Sequence, residues 1–351
     1  MSGEGISLEE LGLAARNHGL PFEALDWDVT PPGLHFLLIH YDIPQVDPTA
    51  WNLTIDGAVA NSGSIGLDVL RDMPRHTRIV TLECAGNGRA LLAPRPVSQP
   101  WLLNAVGTAE WTGAPLASLL EHARPDTEAV EVLFTGLDRG VEGGTEQAYQ
   151  RSLPLPDALT GEVFVAYEMN GAPLPPQHGA PARLVVPGWY GMAHVKWLSS
   201  ITVLTEPFDG YQQRRAYRFR EHADDPGRPV TRMLPRSLVR PPGIPDFLSR
   251  SRVVDAGRLA LTGRAWSGHD TITGVEVSTD GGETWGDAAV EPAPDRYAWQ
   301  RWRLEWDAAP GNHVICSRAT DDTGRTQPLH PGWNVGGYEV NAVHRVQVEV
   351  R

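Results

Sequence analysis

The chain is 351 residues long, 41% apolar and 21% charged, with a net charge of −13. That length exceeds one ordinary core and suits two domains. The composition is that of a globular protein. Its acidity argues against nucleic acid or an anionic membrane as a partner, and no apolar run approaches the roughly 20 residues of a membrane span.

The opening stretch, MSGEGISLEELGLAARNHGL, has no basic segment ahead of an apolar one and no twin-arginine pair. As written it is not an export signal, which implies a cytoplasmic protein, or a periplasmic one if a leader was removed. Residues 7–219 then mix strand-like and helix-like stretches. AWNLTIDGAV reads as strand, turn, strand; GLDVLRDM and PLASLLEHA read as short helices; AVEVLF and VFVAYEM read as buried strands. With 36 glycines and 30 prolines, loops are many and shaped. An irregular mixed α/β domain is expected over residues 1–222.

Residues 224–245, DDPGRPVTRMLPRSLVRPPGIP, are rich in Pro and Arg and read as a linker packed along a surface, with bounds of 223–250. Over residues 251–351 the patterning changes to period two, in RLALTGRAW, ITGVEVSTD, WQRWRLEW, HVICSRATD and HRVQVEVR. Short strands without a helix signal suggest an immunoglobulin-like β-sandwich, so the whole is of α+β class. Cys316 falls mid-strand there and reads as a small buried apolar residue. STDGGETW, residues 278–285, fits the sialidase Asp-box pattern once, but Asp-Gly-Gly between two strands is a good hairpin turn.

The other cysteine, Cys84, lies in VTLECAGNGR at residues 80–89. With two cysteines and no C-x-x-C, at most one disulfide can form and a structural zinc site is disfavoured. An apolar run delivers Cys84 to a Gly-Asn turn, and such turns lie at strand ends where function concentrates. Three roles are open: a buried structural thiol, a nucleophile with one of 12 histidines as base, or a thiolate ligand whose cofactor brings the other donors.

TLECAGNGR resembles the molybdenum-ligand motif of the sulfite oxidase family, a Cys-Ala-Gly-Asn turn followed by two arginines. Other stretches match in order along nearly the whole chain. They are LIHYDIP (38–44), GLD ending at Asp138, YEMNGAPLPPQHGAPARLVVPGWYGMAHVKWL (167–198), QQRRAY ending at Tyr217, and HPGWNVGG. The resemblance implies a Mo-molybdopterin cofactor, with Cys84 giving molybdenum its third sulfur beside two from the pterin dithiolene. It implies that His40, Asp138, His178, Arg183, His194, Val195 and Lys196 contact the pterin and its phosphate. Lys196 is the only lysine among the 30 basic residues. Forked arginine and a point-charge ammonium suit a phosphate. It also implies that the β-sandwich is the family's dimerisation domain, so a homodimer is expected.

The substrate pocket departs from the family pattern. There the family holds a small anion with three arginines, a tryptophan and a tyrosine. Arg89 and Tyr217 match, and Trp101 is the candidate for the tryptophan. Leu38 and Gly336 stand where two arginines are expected, and Gly88 replaces the first of the paired arginines. Each partly desolvated arginine contact to an oxyanion contributes on the order of 1.5–3 kcal/mol. Sulfite is therefore expected to be a poor substrate, unless another arginine such as Arg95 or Arg214 reaches in. Leu38→Arg is expected to improve it, with Gly336→Arg adding further if the C-terminal domain lines the pocket.

The implied activity is oxo transfer on a small oxidisable or oxo-bearing molecule, with Cys84, Arg89 and Tyr217 as catalytic residues. Reduction of a sulfoxide or other S- or N-oxide at the same site is the alternative. No haem-binding segment precedes the domain and no C-x-x-C-H occurs, so a separate electron partner, such as a cytochrome c, is implied. Two other classes compete: a Cys84 hydrolase or transferase without molybdenum, and a silent protein that only binds cofactor or partner.

Overall fold

The computed structural model describes residues 5–351; residues 1–4, where the expected first domain and the opening stretch begin, lie outside them. Among the described residues no helix is long and apolar enough to cross a membrane. The N-terminal part holds two five-stranded sheets. One runs in the order Gly63–Gly66, Asn52–Gly57, Leu198–Leu204, Glu131–Glu142, Thr145–Pro154. The other is built on His76–Glu83, Val106–Pro115 and Phe164–Met169, with Ala172–Pro173 and Arg183–Val185 both pairing with Phe164–Met169.

Short helices cover these sheets where the sequence has helical period. Leu116–Ala123 buries Leu116, Leu119, Leu120 and Ala123, the i, i+3, i+4, i+7 stripe of one face. Leu67–Asp72 buries Leu67 and Leu70. The expected strand pair at AWNLTIDGAV starts correctly at Asn52–Gly57, but its partner begins later, at Gly63–Gly66. Gly57 has φ +86 and carries the chain out of the strand, with Val59 making only a single bridge to Pro125.

The C-terminal strands form one nine-stranded path that folds over on itself as an immunoglobulin-like sandwich. Both halves contribute to one core, Val239, Leu261 and Trp302 from one and Val275, Ile315 and Val346 from the other. Ile272–Ser278 and Gly286–Val290 form a hairpin at STDGGETW, where Asp280 accepts the backbone N–H of Glu283 and Thr284. Cys316 is wholly buried, and both cysteines are free thiols.

The linker expectation over 223–250 needs correction. Arg236–Arg240 is a full strand, paired antiparallel with Gly257–Trp266, and Ile244–Pro245 pairs with Arg252–Val254. Leu238 and Val239 are wholly buried. One arginine of this stretch is an internal clamp: Arg236 is 1% exposed and reaches back into the N-terminal domain.

Candidate functional site

The strand His76–Glu83 grows more buried along its length and ends in the turn that holds Cys84. The turn is stapled by Asn87, whose amide donates to Glu83 Oε1 (3.1 Å) and the Leu103 carbonyl (3.3 Å) and accepts from Ala105 N–H (3.0 Å). Gly88 has φ +95, and a Cβ there would lie 2.6 Å from the Val340 carbonyl oxygen. No side chain fits, which accounts for the missing first arginine of the pair. Gly86 lets the Arg89 guanidinium fold back over the turn, within 2.5 Å of where its Cβ would be.

Two cavities meet at Cys84 and share Leu38, His40, Cys84 and Tyr217 in their walls. The first, about 710 Å³, is lined also by Asp138, His178, Arg183, His194 and Lys196. Thus six of the seven expected pterin contacts border one space beside the cysteine. Val195 does not: its side chain is wholly buried, and its carbonyl accepts from Leu184 N–H at 2.8 Å within the local fold. His194 lines the cavity, but both ring nitrogens are engaged. Nδ1 accepts from Val186 N–H (3.2 Å), so Nε2 carries the proton and donates to the Trp189 carbonyl (3.1 Å).

The electrostatics of this cavity suit an anionic ligand. Arg183 is 5% exposed and, among the described residues, donates only to the carbonyls of His178 (3.0 Å) and His194 (3.2 Å), with its buried Nε lacking an acceptor there. Burial lowers its pKa to about 9. Lys196 Nζ donates to the carbonyls of Leu38 (2.9 Å) and Gln177 (3.1 Å). Burial, then the nearby Arg183, pull it down to about 7. Arg183 and, when protonated, Lys196 face only neutral acceptors among the described residues, an arrangement that suits an anion such as phosphate. Burial raises the Asp138 carboxyl to about 6, opposed by the charges of Lys196 and His40 and by its own backbone N–H. It stands ready to accept from a ring N–H. Burial likewise drives His178 down, to about 2, and keeps it neutral.

Cys84 is 7% exposed. Burial pushes its thiol up, opposed by the Arg89 charge, the Gly86 backbone N–H and the nearby Trp101 indole, whose buried N–H has no acceptor meeting hydrogen-bond geometry among the described residues. A raised thiol is a poor nucleophile, which disfavours the hydrolase reading. Among the described residues no group of three His, Cys, Asp or Glu side chains could hold a metal alone. A metal at Cys84 therefore needs donors from a cofactor. The Cys84 sulfur, the basic pair Arg183 and Lys196, and the polar groups lining the same cavity fit molybdopterin.

The second cavity, about 840 Å³, is lined by Arg89, Trp101, Glu142 and Tyr338 in addition to the shared wall. Arg89 is held by the Gly336 carbonyl (3.0 Å to Nε), Ser98 Oγ (3.1 Å) and the Gln99 carbonyl (3.2 Å), and it has no carboxylate partner among the described residues. Arg95 instead pairs with Glu10 at 2.8 Å, and Arg214 is exposed; neither lines either cavity. The C-terminal domain does reach the site through Tyr338. However, a Cβ at Gly336 would lie 2.3 Å from the Tyr338 ring, so an arginine there cannot enter without displacing the tyrosine.

Tyr217 is 8% exposed and has φ +49, a left-handed backbone unusual for a tyrosine and typical of functional positions. Arg151, buried behind it, stacks its guanidinium 5.5 Å from the ring and donates to the Gln212 carbonyl. Sequence reading missed Arg151, Tyr149, Tyr338, His35 and Glu142. Each lies in a stretch without a motif of its own, so only three-dimensional neighbourhood marks it.

A family model described as the oxidoreductase molybdopterin binding domain matches residues 40–212, and one described as the Mo-co oxidoreductase dimerisation domain matches residues 235–351. Mitochondrial sulfite oxidase of Homo sapiens is 37% identical over 347 residues, covering 92% of this chain and 62% of that protein. Sulfite oxidase of Gallus gallus is 35% identical over 338 residues, covering 90% of this chain and 72% of its own length. The chain thus spans 62% of the length of the human relative. The sulfane dehydrogenase SoxCD of Paracoccus pantotrophus superposes with a TM-score of 0.82 at 26% identity, over 99% of this chain and 87% of that one. With the cysteine turn, the cationic cavity and both domains in place, the chain belongs to the sulfite oxidase family of molybdopterin oxidoreductases.

Proposed function

We propose that the protein transfers an oxygen atom to a small sulfur-centred substrate other than sulfite. The carrying observation is the charge of the second cavity. Arg89 is the only arginine or lysine among the described residues lining it, Leu38 adds an apolar wall, and Glu142 adds a carboxylate. A dianion needs more positive charge than this in a partly desolvated space. The likeness to a sulfane dehydrogenase supports sulfur chemistry away from free sulfite.

Bound in the first cavity, molybdopterin supplies a molybdenum centre for two-electron oxygen-atom transfer. The chain's own residues set the rest. Cys84 provides the thiolate. Arg89 orients substrate oxygens. Tyr217, with its phenol pushed well above the ordinary tyrosine value by burial, holds its proton and donates a hydrogen bond. Electrons leave to a separate acceptor, a cytochrome c-like protein, and two copies associate through residues 235–351.

The volume and apolar wall of the second cavity also favour a second reading, reduction of a neutral sulfoxide. A panel of sulfite, sulfinates, sulfoxides and nitrate, assayed on molybdenum-replete protein with artificial electron carriers, separates these. Turnover of an organic sulfur substrate well above sulfite is expected. Efficient sulfite oxidation with no organic substrate overturns the reading.

A further inference from the structure

The second cavity has a carboxylate that oxygen transfer alone does not require. Glu142 ends the strand Glu131–Glu142, and its Oε2 accepts three hydrogen bonds: from His40 Nε2 (3.0 Å), the Tyr41 hydroxyl (3.0 Å) and Gln212 Nε2 (2.7 Å). Its other oxygen, Oε1, has no partner among the described residues, and the side chain is 30% exposed in the cavity wall. Although burial works to raise the Glu142 carboxyl, the His40 and Gln212 hydrogen bonds hold it below the usual carboxylate range. It is therefore ionised at neutral pH. Three donors on one oxygen fix the group and leave the second oxygen to a ligand.

The same cavity carries the opposite charge on Arg89, whose Nε and Nη1 are committed to Gly336, Ser98 and Gln99. Nη2 has no such bond. Apolar surface from Leu38, Val141 and Trp101 completes the lining. An anion-binding guanidinium, an apolar wall and an open carboxylate oxygen make a dipolar cavity. A bare dianion would gain from Arg89 and be repelled by Glu142. A molecule with one negative end, a short carbon segment and one positive end would use all three.

Building on the oxygen-transfer reading, we propose that the substrate is a dipolar organosulfur acid, an aminoalkyl sulfinate in class. Its sulfinate oxygens meet Arg89, its carbon chain lies along Leu38, and its ammonium meets Oε1 of Glu142. The reaction balances as sulfinate plus water giving sulfonate, two protons and two electrons. A new S–O bond forms, two O–H bonds of water break, sulfur is oxidised, and the electrons pass singly to a one-electron acceptor such as ferricyanide.

Binding and turnover are measured separately. Titration calorimetry of the holoenzyme compares 2-aminoethanesulfonate with ethanesulfonate, product analogues that differ only in the ammonium. Tighter binding of the aminated compound by about tenfold is expected, the scale of one charge-assisted contact. In Glu142→Gln that preference disappears, and in Glu142→Asp, which keeps the charge at shorter reach, it survives in reduced form. Equal affinities in the unmodified protein overturn the proposal even if a variant fails to fold, and so does an undiminished preference in a folded Glu142→Gln. Turnover of 2-aminoethanesulfinate and ethanesulfinate with ferricyanide is the second arm. Ammonium selectivity in binding without turnover of either sulfinate would sustain the Glu142 assignment and reject the oxygen-transfer reading instead.

Discussion

Glu83 and Arg236 form an ion pair at 2.7 Å with side chains 0% and 1% exposed, and they join the two domains directly beneath the cysteine turn. Glu83 precedes Cys84 in the chain and also accepts the Trp266 indole N–H at 2.8 Å. Arg236 reaches the carbonyls of Asn87 (3.4 Å) and Val340 (2.6 Å). One arginine of the C-terminal domain thereby fixes both ends of the turn that presents the thiolate. The sandwich domain thus supports the Cys84 turn.

Removing one partner leaves a buried charge without compensation. Arg236→Ala should destabilise the protein by about 3–5 kcal/mol and lower the molybdenum content per chain, because the Cys84 turn loses its support. Urea unfolding with metal analysis measures both. A stability loss typical of an exposed pair, with full metal content, would show that the pair does not hold the turn.

Cys84→Ser should leave the fold and the bound pterin in place, because the pterin cavity is held by residues on other strands, Asp138 and Arg183 among them. Turnover should be abolished, since a harder oxygen ligand alters the metal's electronics. Pterin content by fluorescence after release, beside steady-state assays, checks this. Full activity in the serine variant would remove Cys84 from the metal.

Leu38 lies in the wall shared by both cavities, so Leu38→Arg brings a second cation toward Arg89. The KM for sulfite should fall by about tenfold, on the scale of one oxyanion contact, and Arg89→Gln should remove residual sulfite activity. Gly336→Arg should give no such gain, because its Cβ meets Tyr338 at 2.3 Å. Steady-state kinetics decide it; a low KM in the unmodified protein that Leu38→Arg does not change would defeat the charge argument.

Lys196 links cofactor binding to pH. Its native pKa, about 7, lies below the ordinary 10.5 because of burial. Between those values the unfolded chain binds a proton that the native cofactor-free protein does not, so stability from this group rises with pH across that window. Asp138 acts in the opposite sense: its pKa is raised from 3.8 to about 6, so its contribution is present below 3.8 and lost as pH rises through 6. Lys196→Met should abolish the gain above pH 7, stabilise the apoprotein at neutral pH and reduce pterin retention. Urea midpoints of the two apoproteins across pH 7 to 10.5 test it; parallel profiles would exclude Lys196 as the source.

Sequence by itself determined the domain order, the helical stripe at Leu116–Ala123, the period-two sandwich and the Cys84 turn, because each is a local pattern with a local physical cause. It also singled out six residues that border one cavity beside Cys84, since family motifs carry them in order. Tertiary structure decided what depends on neighbours distant in sequence. It turned Arg236 from a supposed surface residue into the partner of Glu83, since burial of one charge is intelligible only beside the other. It satisfied the His194 ring within the protein and withdrew Val195 from the cavity, outcomes set by packing rather than residue type. And it gathered His40, Tyr41 and Gln212 around one oxygen of Glu142, three donors from two separate segments that only the folded chain brings to a single carboxylate.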